Sequence, residues 1–423
     1  MNEELWKKYV AVLKKELIPA MGCTEPIAIA LAAAKGKELL GVWPERVVVK
    51  VSGSILKNAK SVVVPNTEGM RGIPAAVIAG IVGGKAELGL QVLAEMTEEE
   101  SSRIKNVLEQ IPVAVEFLDR GHVFDIYAEF YSQASRAAVR ITDYHTNFVY
   151  LEKDGNVLLD EQPEFAEDEL KDRLEYMTIE SICRFADEIE LDKIAPVIER
   201  QMDYNWAIAE EGMRKKYGAN IGKVLKNVYG SDCRNLACSM SAAGSDARMN
   251  GCELPVVVNS GSGNQGITVC IPVMVYGKYS GNYTKEQIIR ALLVSNLTAI
   301  YEKAGIGTLS AYCGAVSAGA GAAAGIAYLQ GEGCSGVSHT IVNALAISSG
   351  IICDGAKASC AGKIAVSVYT GILGYEMWKQ EQEFVAGDGI VVKGLDANIR
   401  AIGDLATRGM GETNKEIIRQ MIQ

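Results

Sequence analysis

The sequence predicts an α+β protein with a mixed α/β N-terminal domain over residues 1–165, followed by a mostly helical, Gly/Ala-rich domain over residues 166–423. A chain of 423 residues is too long for one small core. Helical periods and short β-rich runs alternate in the first part, whereas the chain beyond about residue 195 is rich in Ala, Gly and Ser and mostly helical by period. An acidic, helix-forming stretch near 161–192 separates the two regions.

Local patterns in the first domain define its helices and strands. Residues 46–54 (RVVVKVSGS) are β-rich and lead into a polar turn. From Ile111 to Asp160, short runs of β-branched and aromatic residues are separated by turn signals at Asp119–Gly121 and Asp154–Gly155, a pattern that predicts an antiparallel sheet. The segments with helical periodicity are 3–17, 25–40, 74–93 and 97–110.

Composition and charge argue against several classes of function. The net charge is −10, and no run of Lys or Arg offers a polyanion a positive surface, so we expect no nucleic-acid partner. Residues 1–17 are charged and lack the apolar core of a secretory signal. The longest uncharged stretch, Ala304–Gly331, is dominated by small residues, which predicts a closely packed internal helix rather than a membrane span. We therefore expect a cytoplasmic protein without membrane contact.

Cysteines are the residues that most favour metal chemistry. Ten cysteines without an export signal indicate free thiols, metal ligands or reactive groups rather than disulfides. Cys313, Cys334, Cys353 and Cys360 each have a glycine within two residues. Glycine lets backbone N–H groups turn toward sulfur, and thiolate is a ligand that suits iron. Spacing alone does not choose among these four, and a total of three histidines argues against a His-based metal site.

Two segments rich in glycine and hydroxyl groups follow apolar runs and resemble nests that bind carboxylate or phosphate. The first is VVKVSGSILKN at 48–58 and the second is PVVVNSGSGNQG at 255–266. Neither has the glycine spacing of a dinucleotide-binding or Walker loop, and an ordinary tight turn is the alternative for each. Two such segments together favour a small carboxylate ligand. The candidate binding residues are Ser52, Gly53, Ser54, Asn58, Asn259, Ser260, Ser262, Gly263, Asn264 and Gln265.

A third candidate lies in MGCTEPIAIALAAAKG at 21–36. Thr24 is a good helix N-cap, which would put Cys23 at the positive end of an apolar helix. That position lowers a thiol pKa, so Cys23 could act as a nucleophile or base, although a cysteine that merely precedes a capped helix is the simpler alternative. Lys357 could neutralise a substrate carboxylate, against the alternative of a solvated lysine.

Six motifs, in order along nearly the whole chain, resemble those of the L-cysteine desulfidases, a family related to the iron–sulfur-dependent L-serine dehydratases. The motifs are GCTEP at 22–26, SGSILKN at 52–58, SDARMNG at 245–251, NSGSGNQG at 259–266, AYCGAVSAG at 311–319 and CDGAKASC at 353–360.

The resemblance implies a [4Fe-4S] cluster held in the helical domain by Cys313, Cys353 and Cys360, with Cys334 left out. It also implies that Cys23 is the catalytic base and that the glycine–serine loops bind the carboxylate and amine of a small amino acid. The implied reaction is β-elimination of sulfide from L-cysteine, which yields ammonia and pyruvate. Such an enzyme would be oxygen-sensitive, and we expect a homodimer.

Three other functions fit parts of the pattern. L-Serine dehydration on the same cluster is the nearest, although the serine dehydratases have Ser-Ser-His-Thr where this chain has Gly22–Glu25. The chain also has no cysteine after Cys360, so a C-terminal thiolate could not cap an open iron. A pyridoxal-phosphate lyase would perform similar chemistry through a lysine. A redox sensor would need neither the anion-binding loops nor a base.

Overall fold

The computed structural model describes residues 2–161 and 166–422 and has the predicted α+β class, with a helical C-terminal region. The strands are β1 (Pro19–Met21), β2 (Arg46–Val51), β3 (Val113–Phe117), β4 (Asp125–Tyr131), β5 (Arg136–Thr142), β6 (Phe148–Lys153), β7 (Asn156–Asp160) and β8 (Pro255–Val257).

Helices account for most of the described chain. Those before residue 161 are α1 (Asn2–Glu16), α2 (Thr24–Leu40), α3 (Gly53–Ala59), α4 (Gly72–Gly83) and α5 (Glu98–Gln110). Those after residue 165 are α6 (Ala166–Tyr176), α7 (Ile179–Glu188), α8 (Ala195–Arg214), α9 (Ile221–Tyr229), α10 (Cys233–Met249), α11 (Gly263–Tyr279), α12 (Lys285–Ile306), α13 (Gly314–Leu329), α14 (Gly333–Ser348), α15 (Cys360–Lys379), α16 (Leu395–Asp404) and α17 (Gly411–Ile422).

A six-stranded sheet in the order β3-β2-β4-β5-β6-β7 supports the first half of the chain. The antiparallel arrangement predicted for Ile111–Asp160 is correct for β4, β5, β6 and β7. Strand β3 instead runs parallel to β2, because α3, α4 and α5 connect the two strands. Helix α2 packs on β4 and β5 and is almost wholly buried. Gly36 permits this approach, since a Cβ there would lie 2.0 Å from the Phe130 ring.

Two predicted segments differ from the structure. Residues 48–58 do not form a loop, because β2 ends at Val51 and α3 begins at Gly53 with the Ser52 side chain accepting a hydrogen bond from the Ile55 amide. The helix predicted over 74–93 ends at Gly83, and a 3₁₀ turn follows in which Gly89 has a φ of 55°.

The predicted internal helix in Ala304–Gly331 is α13, which packs among α11, α12, α14 and α15. Its glycines bring neighbouring backbones close. A Cβ on Gly319 would lie 2.4 Å from the Ser367 carbonyl oxygen of α15, and one on Gly371 would lie 2.5 Å from the Gly319 oxygen. Within residues 2–161 and 166–422, no helix combines the length and apolar character needed to cross a membrane.

The two halves of the chain are joined by several contacts. Strand β1 pairs antiparallel with β8, so the segment that precedes α2 lies beside the segment that precedes α11. A buried ion pair of 2.6 Å links Glu16 of α1 to Arg173 of α6. The domain division after residue 165 stays a prediction, and residue 165 itself lies outside the described part of the chain.

Candidate active site

Four of the cysteines singled out by sequence face one cavity of about 120 Å³ between the two halves of the chain. These are Cys23 at the start of α2, Cys313 at the start of α13, Cys353 in the loop before α15 and Cys360 at the start of α15. The cavity is also lined by Glu25, Asn58, His145, Arg248, Ser260, Ser262, Asn264, Gln265, Lys303 and Lys363.

Backbone pairing brings two of the three predicted cluster ligands, Cys313 and Cys353, together. Tyr312 and Ile352 form an isolated antiparallel bridge. On either side of it, the Cys313 amide donates to the Ile351 oxygen at 3.0 Å and the Cys353 amide donates to the Ala311 oxygen at 2.6 Å. Residues after Cys353 turn at Gly355, which has a φ of 92° and lies so close to the Lys57 carbonyl that a Cβ would meet it at 2.2 Å.

The environment of these three thiols favours thiolate on one of them. A hydrogen bond with Cys313 is the largest cause that lowers the pKa of Cys353 to about 5, and the positive charges of Lys57 and Lys303 contribute further. The same hydrogen bond raises the pKa of Cys313, and burial raises the pKa of Cys360. Each of the three sulfurs also interacts with a backbone group in a way that favours the thiolate: that of Ala315 for Cys313, Gly355 for Cys353 and Lys357 for Cys360.

Lysines supply positive charge around these sulfurs, in a molecule whose net charge is −10. Lys57 is buried and donates to Asn414 Oδ1 at 2.9 Å. Burial lowers the pKa of Lys303 to about 8. Lys363 donates to the Ile352 oxygen at 2.7 Å and forms an ion pair with Asp354. Cations beside several thiols stabilise their charged forms.

Cys23 lies at the N-cap position of α2, but its thiol is not acidified there. Burial raises the pKa of Cys23 well above its ordinary value, and the negative charge of Glu25 raises it further. The prediction of a lowered pKa from the helix N-terminus is therefore wrong. The thiol donates to Glu25 Oε2 at 3.1 Å, and the Thr24 hydroxyl donates to the same oxygen at 3.1 Å and to the Gly261 oxygen at 3.0 Å.

Only some of the other predicted site residues line the cavity: Asn58, Ser260, Ser262, Asn264 and Gln265 do. Ser52, Gly53 and Ser54 line a separate surface cavity beside Phe117 and Ile418. The remaining three, Asn259, Gly263 and Lys357, are not among the cavity-lining residues.

Those three have other contacts in the structure. Asn259 is buried and donates to Asn296, which holds the 259–262 turn in place. Gly263 begins α11 and packs against Arg248. Lys357 forms an ion pair with Asp354 and donates to the Gly355 oxygen at 3.3 Å, both within its own loop.

Cys334 lies outside this cavity. It is near the start of α14 and interacts with Cys183 of α7, and a hydrogen bond from Cys183 lowers the pKa of Cys334 to about 7. The structure therefore separates Cys334 from Cys313, Cys353 and Cys360. The spacing of the four cysteines along the sequence did not distinguish Cys334 from the other three.

Comparison with known proteins gives the family. A family model described as the serine dehydratase alpha chain matches residues 87–419. The chain belongs to the serine dehydratase alpha chain family. It is also 49% identical to a UPF0597 protein of Desulfitobacterium hafniense, over 100% of this chain and 98% of the relative. A UPF0597 protein of Lachnoclostridium phytofermentans is 46% identical over 99% of this chain and 100% of the relative.

Members of the serine dehydratase alpha chain family are generally iron–sulfur-dependent lyases, and the donor set in the cavity fits such a group. Iron–sulfur clusters are held by cysteine thiolates. The cavity offers three thiols, and nearby backbone groups and lysines stabilise negative charge on them. Among the described residues, no three His, Cys, Asp or Glu side chains are grouped to hold a metal ion.

The sequence analysis did not single out five residues with charged or imidazole side chains that line this cavity: Glu25, His145, Arg248, Lys303 and Lys363. The sequence contained a signal for Arg248. This residue belongs to the motif SDARMNG and is the only charged hydrogen-bond donor in that motif. His145 is half-buried against Gly261, and burial lowers its pKa. His145 lines the cavity because the two halves of the chain contact each other, and no local sequence pattern predicts that contact.

Proposed function

We propose that the protein is an L-cysteine desulfidase, which converts L-cysteine and water into sulfide, ammonia and pyruvate with a [4Fe-4S] cluster on Cys313, Cys353 and Cys360. The observation that carries this proposal is that these three thiols line the same cavity as Cys23. When bound, the cluster would supply an iron with an open position, a Lewis acid that polarises the bond between the substrate's Cβ and its sulfur.

Cys23 is the proposed base that removes the Cα proton. The Glu25 carboxylate accepts the hydrogen bond of the thiol at 3.1 Å, so it can take the thiol proton and leave a thiolate. Because burial raises the pKa of Cys23, this thiolate is strongly basic, which suits a weakly acidic Cα proton. Thr24 donates to the same Glu25 oxygen and keeps it oriented.

Loss of the Cα proton and of sulfide leaves 2-aminoacrylate, which tautomerises and hydrolyses to pyruvate and ammonia. These last steps need only water. Asn58, Ser260, Ser262, Asn264 and Gln265 are the proposed substrate-binding residues, since they line the cavity beside Cys23. Ser52, Asn259 and Gly263 would act indirectly by shaping the segments that carry them.

L-Serine dehydration by the same residues is the second candidate, and the description of the matching family favours it. The GCTEP motif at 22–26 favours L-cysteine as the substrate. It contains the thiol of Cys23, whereas the serine dehydratases have Ser-Ser-His-Thr at these positions. The two reactions share the base and the cluster and differ only in the leaving group, which is sulfide or water.

Anaerobic purification followed by analysis of iron, acid-labile sulfide and turnover tests the proposal. We expect about four irons and four sulfides per chain, as the cluster type requires. With L-cysteine and L-serine supplied separately at equal concentration, kcat/KM should be higher for cysteine, measured as sulfide and pyruvate release. A higher value for serine would establish the second candidate. Turnover by a preparation without iron would contradict both candidate functions.

The ligand assignment is tested by single substitutions. Cys313→Ala, Cys353→Ala and Cys360→Ala should each lose the cluster's iron and its visible absorption. Cys334→Ala is the matched control, because Cys334 interacts with Cys183 away from the cavity, and it should keep a full complement of iron. Full iron in any of the first three variants contradicts the assignment of that ligand.

A further inference from the structure

Arg248 is a buried cation without a complete set of partners. It belongs to α10, only 1% of the residue is exposed, and it lines the cavity that holds Cys23. Its Nε and Nη2 atoms are buried and make no hydrogen bond. Charged donors without partners in a protein interior are unfavourable unless an anion pairs with them.

The nearby carboxylate does not neutralise Arg248. Glu25 Oε2 accepts hydrogen bonds from Cys23 and Thr24 instead, and among the described residues Arg248 forms no ion pair with it. The guanidinium lies against the first residue of α11, because a Cβ on Gly263 would be only 2.3 Å from Arg248 Nε and 2.7 Å from Cζ. Its free donors therefore lie beside the start of α11.

Two unsatisfied acceptors lie on the same turn of α11. Asn264 Oδ1 and Gln265 Oε1 are buried without hydrogen-bond partners, and both side chains line the cavity. Gln265 is held against the residue after Cys313, since a Cβ on Gly314 would lie 2.7 Å from Gln265 Cδ. The cavity thus holds two unpaired cationic donors and two unpaired amide acceptors near the start of α11, and Cys23 and the proposed cluster ligands line the same cavity.

We propose that Arg248 binds the α-carboxylate of the substrate, and that the side-chain oxygens of Asn264 and Gln265 accept hydrogen bonds from its α-ammonium group. A guanidinium fork matches a carboxylate, and amide oxygens match an ammonium. The site therefore selects free α-amino acids and rejects amines and amino-acid amides. This inference rests on the proposed function only in assuming a small amino acid as ligand.

Binding of unreactive analogues to the full-length holoprotein tests this subsite apart from catalysis. L-Alanine carries both groups but has no β-leaving group, whereas L-alaninamide lacks the carboxylate. Calorimetry should show that the wild type binds L-alanine and not L-alaninamide. Arg248→Met should weaken L-alanine binding at least about 100-fold, because a buried charged pair is lost. Arg214→Met, which removes an exposed arginine on α8, is the control and should bind like the wild type.

Gly263→Ala gives an independent test if Arg248→Met does not fold. The added methyl group would occupy the space beside Nε, so it displaces the guanidinium while its charge is kept, and L-alanine binding should again weaken. Unchanged L-alanine affinity in a folded Arg248 or Gly263 variant overturns the proposal, as does equal binding of L-alaninamide by the wild type. If L-alanine binding depends on Arg248 but neither cysteine nor serine is turned over, the subsite stands and the proposed function fails.

Discussion

The Cys23 thiol shows how burial outweighs a helix dipole at the scale of one residue. A charge at a helix N-terminus is typically stabilised by about 0.3–1 kcal/mol, which is less than one pKa unit. Complete burial of an ionisable group shifts its pKa by up to about 3–5 units. Because Cys23 is only 2% exposed and has Glu25 beside it, the second effect wins and the thiol stays protonated until a base acts on it.

Replacement of Cys23 tests its role as the base. Cys23→Ala should keep full iron but lower kcat about 100- to 10,000-fold, the usual contribution of a general base. Glu25→Gln should also lower kcat, since the amide cannot accept the thiol proton. Cys270→Ala is a matched control, because Cys270 is equally buried but lies in the core of α11, and it should keep a normal kcat. Wild-type turnover by Cys23→Ala would remove this residue from the mechanism.

Residues were predictable from sequence where a motif carries its own chemistry. The thiols of Cys313, Cys353 and Cys360 and the amides of Asn264 and Gln265 were singled out, and all of them line the cavity. Arg248 was not singled out, because an arginine in a motif reveals nothing of its burial or of its missing partners. The unsatisfied state of its Nε and Nη2 atoms exists only once α10 and α11 are packed together.

At the scale of elements, the crossing of α13 and α15 sets the positions of two proposed ligands. Cys313 precedes α13 and Cys360 begins α15, and the helices touch backbone to backbone at Gly319 and Gly371. Small residues at a crossing permit this close approach. The distance between the two helix starts therefore depends on the absence of side chains at that crossing.

Gly319→Ala should move these helices apart. The new Cβ would lie 2.4 Å from the Ser367 carbonyl oxygen, and backbone on both sides leaves no flexible group to yield. We expect the free energy of unfolding to fall by about 1–3 kcal/mol, as in other overpacked cores, and the iron content to decrease. Gly362→Ala in α15 is the control, since a Cβ there meets nothing within 4 Å and alanine favours a helix by about 1 kcal/mol. Denaturant titration and iron analysis measure both effects, and full iron with unchanged stability in Gly319→Ala would contradict the argument.

Long helices were predictable from their periodicity, and a short helix was not. Helices α1, α2 and α5 follow the predicted segments closely, because each has three or more turns of helical periodicity. Helix α3 has only seven residues, and its sequence GSILKNA was interpreted as part of an anion-binding loop. The serine that suggested the loop, Ser52, is instead an N-cap whose side chain accepts a hydrogen bond from Ile55.

At the scale of the whole molecule, the site requires both halves of the chain. The first half contributes Cys23, Glu25 and Asn58, and the second contributes the proposed cluster ligands and Arg248. Sequence patterns place a boundary near residue 165 but give no information about contacts across it. The β1–β8 ladder and the Glu16–Arg173 ion pair make those contacts, and their geometry depends on packing between segments more than 150 residues apart along the chain.

If the halves depend on each other, breaking one buried link should loosen both. Arg173→Met leaves the Glu16 carboxylate, whose side chain is 11% exposed, without this ion pair. Removing one partner of a buried pair costs about 3–5 kcal/mol, so amide hydrogen exchange, followed by mass spectrometry, should accelerate in the most protected peptides of both β4–β5 and α12–α13. Lys7→Met removes only exposed pairs with Glu3 and Glu4 and should change neither region by more than about 0.5 kcal/mol. Acceleration confined to α1 and α6 would mean that the halves unfold separately, and the site would then assemble by docking two independently stable domains.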